Sequence, residues 1–391
     1  MKLGMQLTLD EAMLLAIDQA KLGASFVSPN PLVGCVILNS KQELLAMGHH
    51  QKYGEAHAEI NALKGLNPDL LKDAHVIVTL EPCAHQGKTG SCAKKLIEFP
   101  IARVTYGLQD PFPQVSGKGA QILRDAGISC VNYSSSSENP KGNADIINQL
   151  RNTCEIFLKN IEEQKIFFAV KLAQSLDGKM GLANGDSKWI TSAESRQYSH
   201  YLRSCYDLLI VGNKTVSVDD PQLNIRHPKI TKQNRILIID PQGQLFGKDL
   251  QIQKIHLPEN VFWAVQDEIA LDRARKTGVL DSQVLLVPVE RGQSSKLDLI
   301  ELTSQLWAKG FRSAMIEGGA KTISHFLKCG LVDRIHLFQA PVILGGHAPG
   351  WAESLLNTKV QLASRINPDF SQKLGPDFYL TGRLIMPKNE S

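Results

Sequence analysis

His57-Ala58-Glu59, Pro82-Cys83 and Cys92 follow one another in an order that carries metal chemistry. One histidine and two cysteines offer zinc three ligands and leave a fourth position open. That is the arrangement of a catalytic zinc site, because water must occupy the open position. Zinc lowers the pKa of such a water toward neutrality. Glu59 lies two residues beyond His57, so on a helix it points elsewhere and need not bind the metal; it can shuttle a proton from the water to a leaving group. Taken singly, Cys83 and Cys92 read as two of seven free thiols, and His57 as a core histidine. With the Glu and the Pro also in place, the set reads as a site. Nine residues separate Cys83 from Cys92 instead of the three of Cys-x-x-Cys, so the stretch AHQGKTGS (84–91) must fit between two ligands. Pro82 marks a helix start, where the helix dipole would favour the Cys83 thiolate.

The elements that must position these residues alternate. Residues 9–22 have apolar side chains at helical spacing, with Asp10 and Glu11 in the first turn. Strands are expected at 33–39, 75–83 and 103–108, and helices at 57–66 and 119–127. Such alternation means an α/β layer fold. SSSSENPKG (134–142) is the strongest loop-like stretch, and the helical pattern of 143–164 after it is assigned to the first domain. A second α/β series starts with IFFAVKLAQSLDG (166–178) and continues with strands at 206–212, 235–240, 260–265, 282–289 and 313–319. The expected domains are therefore 1–164 and 165–391, and no internal repeat is visible.

A chain of 391 residues is long enough for two or three cores. Its net charge of +4, with lysines and arginines scattered among acids, speaks against a nucleic-acid or membrane partner. Asp10, Glu11 and Asp18 interrupt any apolar signal core near the start, and no apolar run approaches a membrane span. The expectation is a cytoplasmic protein, where cysteines stay reduced and pair as metal ligands before disulfides. A homo-oligomer is compatible with the sequence, which leaves the stoichiometry open.

The His-x-Glu then Pro-Cys order is also that of zinc deaminases. NPLVG (30–34), GHH (48–50), HAEINAL (57–63), EPCAHQGKTGSC (81–92) and DPFPQVSGKG (110–119) resemble the bifunctional riboflavin-biosynthesis deaminase/reductase family, in which the long stretch between the cysteines is normal. The resemblance implies that Asn30, His50, His85 and Lys88 line the deaminase substrate pocket. The chain departs from the family pattern at Ala84, where Ser is usual, and at Gly90-Ser91, where Pro-Pro is usual.

The second half has no GxGxxG after a strand, so a Rossmann cofactor site is not supported. KLAQSLDGKM (171–180), SKWIT (187–191), HYLRS (200–204), VGNKTVSVDDPQLNIR (211–226), IEGGA (316–320), GLVD (330–333) and APVILGG (340–346) resemble the family's reductase half, which is similar to dihydrofolate reductase. The implied cofactor contacts are Ala173, Trp189, Thr215, Asp219, Gly318 and Gly319. The implied substrate contacts are Ser187, Arg203, Leu223, Arg226 and Glu317. Arg203 and Arg226 are the guanidinium candidates for a substrate phosphate, although Arg203 lies on a helix-like run that would usually be a solvated face. Arg334 after LVD, where Glu is frequent, and the missing proline before RILIID fall on no named contact.

The resemblance implies a cytidine-deaminase-like three-layer α/β/α domain and a dihydrofolate-reductase-like α/β domain, with zinc and NADPH as cofactors. It implies removal of an amino group from diaminohydroxyphosphoribosylaminopyrimidine, then hydride transfer that turns the ribosyl chain into ribityl. Lys171 and Asp219 are candidate proton donors for the second step. One rival is a nucleoside or tRNA deaminase with a C-terminal binding module, which the near-neutral charge disfavours. The other is a non-enzymatic regulator built on inactive domains, which the intact His57, Glu59, Cys83 and Cys92 set disfavours.

Overall fold

Thr8 opens the first helix, α1 (Leu9–Lys21), with a reciprocal cap. Its hydroxyl accepts the Glu11 N–H at 3.3 Å, and its own N–H donates to the Glu11 carboxylate at 2.8 Å. The computed structural model describes residues 2–84, 90–112, 116–135, 143–347, 350–352, 355 and 359–386. It divides the chain into two units, Met1–Gln164 and Lys165–Ser391.

In the first unit α1 is followed by β1 (Gly34–Leu38), β2 (Leu44–His49), α2 (Ala58–Leu63), β3 (Ala74–Leu80), α3 (Cys92–Ile97), β4 (Ile101–Leu108), α4 (Lys118–Asp125), β5 (Ser129–Asn132), α5 (Ala144–Thr153) and α6 (Glu155–Glu163). The sheet order is β2-β1-β3-β4-β5, antiparallel across the first three strands and parallel from β3 onward. Strand periodicity sorts β1 onto two faces. Val36 and Leu38 pack with α1 and α5, while Cys35 and Ile37 pack with residues of α2, α3 and α4. The result is the expected three-layer α/β/α arrangement.

The second unit contains β6 (Phe167–Gln174), α7 (Ala193–Cys205), β7 (Leu208–Gly212), α8 (Asn213–Asp219), β8 (Arg235–Ile239), α9 (Gln251–Ile255), β9 (Val261–Val265), α10 (Glu268–Lys276), β10 (Val284–Leu286), α11 (Leu299–Ala308), β11 (Ser313–Ile316), α12 (Ala320–Lys328), β12 (Arg334–Gln339), β13 (Arg365–Leu374) and β14 (Asp377–Ile385). The sheet order is β10-β9-β8-β7-β11-β6-β12-β14-β13. It is parallel through β12 and ends in the antiparallel pair β14 and β13. Phe168, Val170, Ile210 and Ile316 on the central strands meet Leu302 and Leu306 of α11 and Phe326 of α12 in one core.

Three expectations need correction. The helix start assigned to Pro82-Cys83 is absent; the next helix begins at Cys92, where the Ser91 hydroxyl accepts the Lys94 N–H. The single helix over 143–164 is two helices, because Cys154 adopts φ −100° and ψ 9° between them. The strand over 282–289 shrinks to Val284–Leu286, since Pro288 has no N–H for a ladder. Among the described residues no helix is long and apolar enough to cross a membrane.

Two glycines seat helices next to the cysteines and His57. A Cβ at Gly48 would lie 2.5 Å from the Ala62 nitrogen and 2.7 Å from the Ala58 oxygen, so β2 and α2 touch backbone to backbone. A Cβ at Gly119 would lie 1.7 Å from the Pro82 oxygen, which brings the start of α4 against the residue before Cys83. Gly48→Ala must therefore push α2 away from the sheet. Urea unfolding should show a loss of about 1–3 kcal/mol, the usual cost of overpacking, together with weaker zinc retention; unchanged stability would show that α2 is not seated through this contact.

Candidate active sites

His57 caps the start of α2, and Cys92 is the first residue of α3. Cys83 comes from the segment after β3. The His57 Nδ1 lies 3.2 Å from the Cys92 Sγ and 3.6 Å from the Cys83 Sγ. All three ligand atoms lie within 4.8 Å of one another. The two cysteine segments are stapled by backbone, since the Cys83 carbonyl accepts the Ser91 hydroxyl at 2.9 Å and the Ala93 N–H at 3.2 Å. The Cys92 N–H donates to the Cys83 Sγ at 3.3 Å. The helix end that favours the Cys83 thiolate is thus that of α3. The thiols share charge unequally: a hydrogen bond with Cys92 holds Cys83 well below the usual thiol range, and the same bond pushes Cys92 up. One N and two S donors at these separations fit a tetrahedral zinc with an open position.

The open side faces a cavity of about 380 Å³ lined by Asn30, His50, His57, Glu59, Glu81 and Cys83, with Tyr53, Phe112 and Phe157 as its aromatic surface. Glu59 is only 3% exposed. Burial, and then the charge of Cys83, push its carboxyl up to about 7; a cation on the ligands would draw it back toward carboxylate. The His50 Nδ1 is 3.0 Å from the Ala56 carbonyl and its Nε2 is 3.1 Å from the Asn30 Nδ2. Burial lowers its pKa, so it is a neutral imidazole that donates through Nδ1 and accepts from Asn30. His85 and Lys88 lie outside the described residues.

Glu81 is a residue that the motif reading passed over. It is 4% exposed. Its carboxylate accepts the N–H of Gly117 at 2.9 Å and of Ala120 at 3.1 Å. It thereby ties Gly117 and the start of α4 to the segment carrying Cys83. Its position directly before Pro82-Cys83 was the available signal, but an acid beside a ligand reads equally well as a metal ligand or a surface group.

In the second unit the Arg203 side chain is only 13% exposed, against the expected solvated face. Its Nε and Nη2 donate to the two Glu317 carboxylate oxygens at 2.7 and 2.8 Å, and its Nη1 donates to the Asn224 carbonyl at 2.8 Å. Burial works to raise Glu317, but the Arg203 charge and hydrogen bonds, with Lys171 and His200, hold it at about 2. Beside this pair lies a cavity of about 160 Å³ lined by Lys171, Ser195, Arg196, His200, Arg203 and Arg226. The Ser195 hydroxyl is buried there with no hydrogen-bond partner among the described residues. Burial and the two arginines lower His200 to about 4, so it adds no charge near neutral pH. Ser195 and Arg196 were not singled out, because a helical Ser-Arg pair has no distinctive spacing.

The expected cofactor residues form two groups. Gly318 and Gly319 join β11 to α12, and the Gly319 N–H donates to the Thr215 hydroxyl at 2.9 Å. Next to them a cavity of about 700 Å³ is lined by Gly212, Lys214, Gln242, Lys296, Lys321 and Thr322. Its lysines and the start of α12 fit an anionic dinucleotide. Ala173 is half-buried on β6. Ser187, Trp189 and Asp219 are exposed, and the Arg196 guanidinium lies 4.3 Å from the centre of the Trp189 ring. Trp189 at φ +65° and buried Leu223 at φ +49° hold left-handed backbone that disfavours their side chains.

Residues 167–379 match the RibD C-terminal domain, and residues 7–108 match the cytidine and deoxycytidylate deaminase zinc-binding region. The riboflavin biosynthesis protein RibD of Bacillus amyloliquefaciens is 33% identical over 94% of this chain and 94% of its own length. The chain belongs to the RibD family. RibD of Escherichia coli is 33% identical over 86% of this chain and 88% of its own. The solved structure of Acinetobacter baumannii RibD superposes with a TM-score of 0.77 at 30% identity, covering 97% of this chain and 99% of that one. The protein is accordingly a bifunctional deaminase and reductase of riboflavin biosynthesis that acts on a small pyrimidine and uses zinc and NADPH. RibD matches in both halves displace the rival in which a nucleoside or tRNA deaminase carries a mere binding module.

Removing Glu317 from this member of the RibD family would strand Arg203 and Lys171 without their counter-charge. Glu317→Ala should lower the stability of the second unit by about 3–5 kcal/mol, as breaking a buried pair does. Arg226→Ala, at an exposed position, should stay within about 0.5 kcal/mol. The Glu317 contribution is present above the unfolded carboxyl pKa of 4.5 and is lost as pH falls toward about 2. Guanidinium titrations at pH 7 and pH 3 check both statements, and equal effects of the two substitutions would contradict the burial argument.

Proposed function

We propose that residues 1–164 deaminate diaminohydroxyphosphoribosylaminopyrimidine and that residues 165–391 reduce the ribosyl side chain of the product to ribityl. A Thermotoga maritima structure, 29% identical with a TM-score of 0.77, bears the name diaminohydroxyphosphoribosylaminopyrimidine deaminase/5-amino-6-(5-phosphoribosylamino)uracil reductase. The observation that carries the reading is that His57, Cys83 and the buried carboxyl of Glu59 border one cavity, with the Cys92 Sγ within 4.8 Å of the other two ligand atoms. In this reading His57, Cys83 and Cys92 hold zinc. Zinc, when bound, supplies the Lewis acidity that makes water nucleophilic near neutral pH. Glu59 takes the proton from the attacking water and delivers it to the departing amine, which leaves as ammonia. Neutral His50 and Asn30 orient the pyrimidine, with His85 and Lys88 as further contacts.

In the reductase half, Arg226 and the Ser195-Arg196 side of the cavity take the substrate phosphate, and Ser187 and Leu223 add contacts. Arg203 acts with Glu317 as a fixed pair, so its spare N–H groups face substrate while Glu317 keeps the fork in place. Ala173, Trp189, Thr215, Asp219, Gly318 and Gly319 bind the cofactor. NADPH supplies the hydride, and the protein supplies position and charge. Half-buried Lys171, beside Glu317 and Arg203, is the better placed of the two proton-donor candidates: its pKa is lowered, chiefly by desolvation, whereas Asp219 is exposed. The left-handed backbone at Trp189 and Leu223 supports a ligand-facing role for both. A cytoplasmic location, where cysteines stay reduced, suits a chain that uses Cys83 and Cys92 as metal ligands.

Glu59→Gln should keep its zinc, because the ligand set is untouched. Ammonia release should fall by about 10²–10⁴-fold, the range for general acid–base catalysis. NADPH oxidation with the deaminated intermediate should continue at the wild-type rate. Loss of zinc from this variant would make Glu59 a ligand and overturn its role as proton carrier.

A further inference from the structure

At the edge of the 700 Å³ cavity, which His325 lines, Glu290, His325 and Cys329 bring three further metal-ligating atoms within 4.8 Å of one another. His325 lies in the last turn of α12 and Cys329, four residues on, is its C-cap in helical conformation, so the two share one face. Glu290 comes from the connection between β10 and α11. The connection is itself folded: the Glu290 N–H donates to the Lys296 carbonyl at 2.7 Å, and the Gln293 N–H donates to the Glu290 carbonyl at 2.9 Å. The carboxylate is thus presented by a hydrogen-bonded turn. Its Oε1 pairs with the His325 Nε2 and lies 3.9 Å from the Cys329 Sγ. The His325 and Glu290 side chains are 17% and 32% exposed, reachable from solvent yet largely enclosed. A His–Glu hydrogen bond would account for two of these residues without placing a thiol within reach of the same oxygen.

We infer that Glu290, His325 and Cys329 form a second cation site, one that takes a zinc-type divalent ion. One nitrogen, one sulfur and one oxygen make a borderline donor set, which zinc accepts and which magnesium or calcium, with their demand for oxygen, does not. A thiolate and a carboxylate balance the two charges of the ion. Ligands at bond lengths of about 2.0–2.3 Å around a tetrahedral centre stand roughly 3.3–3.8 Å apart. Binding needs the His–Glu contact to open slightly and the Cys–Glu separation to close by a few tenths of an ångström. Both are side-chain adjustments. The bound ion would staple the 290–296 turn to α12, the helix that starts at the Gly318-Gly319 step.

Zinc bound per full-length chain, measured by atomic absorption after reconstitution and gel filtration, tests the inference. The wild type should carry two equivalents. Cys329→Ser and Glu290→Gln should each carry one and keep wild-type ammonia release, whereas Cys92→Ser should also carry one but lose it. Glu290→Gln preserves shape, so it decides the matter should Cys329→Ser fold poorly. Cobalt loaded into Cys92→Ser should still give a thiolate-to-cobalt absorption band, and that band should vanish when Cys329→Ser is added. A wild type with one equivalent, or two equivalents persisting in both Cys329→Ser and Glu290→Gln, would overturn it.

Discussion

Three ligand atoms from separate parts of the chain must meet within 4.8 Å, and the architecture of the first unit serves that constraint. His57 sits at the start of α2, which is pressed onto β2 through Gly48. Cys92 sits at the start of α3, and the Cys83 carbonyl is fastened to that start through Ser91 and Ala93. Glu81 pins the far side through the first N–H groups of α4. These fastenings act alongside the metal bonds, so metal binding and folding of the first unit are coupled.

The second unit faces the opposite electrostatic demand. Lys171, Arg196, Arg203 and Arg226 converge on one small cavity, and Glu317 is the counter-charge held against Arg203. Such a cluster is held together because the Arg203–Glu317 pair is bidentate and the Arg203 Nη1 also donates to the Asn224 carbonyl. The surplus of positive charge suits a dianionic phosphate, which would lower the mutual repulsion of the cations as it binds. Glu317 holds one cation in place and offsets part of the positive charge beside the cavity.

How much of this was legible in the sequence differs by element. His57, Glu59, Cys83 and Cys92 stood out because few residue sets share that order, and α1 because its period and its acidic first turn agree. The helix start at Pro82-Cys83 was misplaced, since Pro-Cys before a long connection looks the same whether the helix follows at once or nine residues later. Burial of Arg203 was hidden because its partner Glu317 is 114 residues away. The strand β13 went unread for a local reason: it is mostly exposed and carries a register shift beside Pro368, which erases the alternating pattern. Ser195, Arg196 and Glu81 carry no spacing signal at all, and only the packing of α7 and α4 brings them to their cavities.

The central claim is that zinc held by His57, Cys83 and Cys92 serves deamination alone. It is tested most directly by measuring zinc content and both half-reactions in Cys92→Ser. The account predicts loss of the zinc bound in the first unit and of ammonia release, with NADPH oxidation on the deaminated intermediate unchanged. Undiminished zinc with wild-type ammonia release would contradict it.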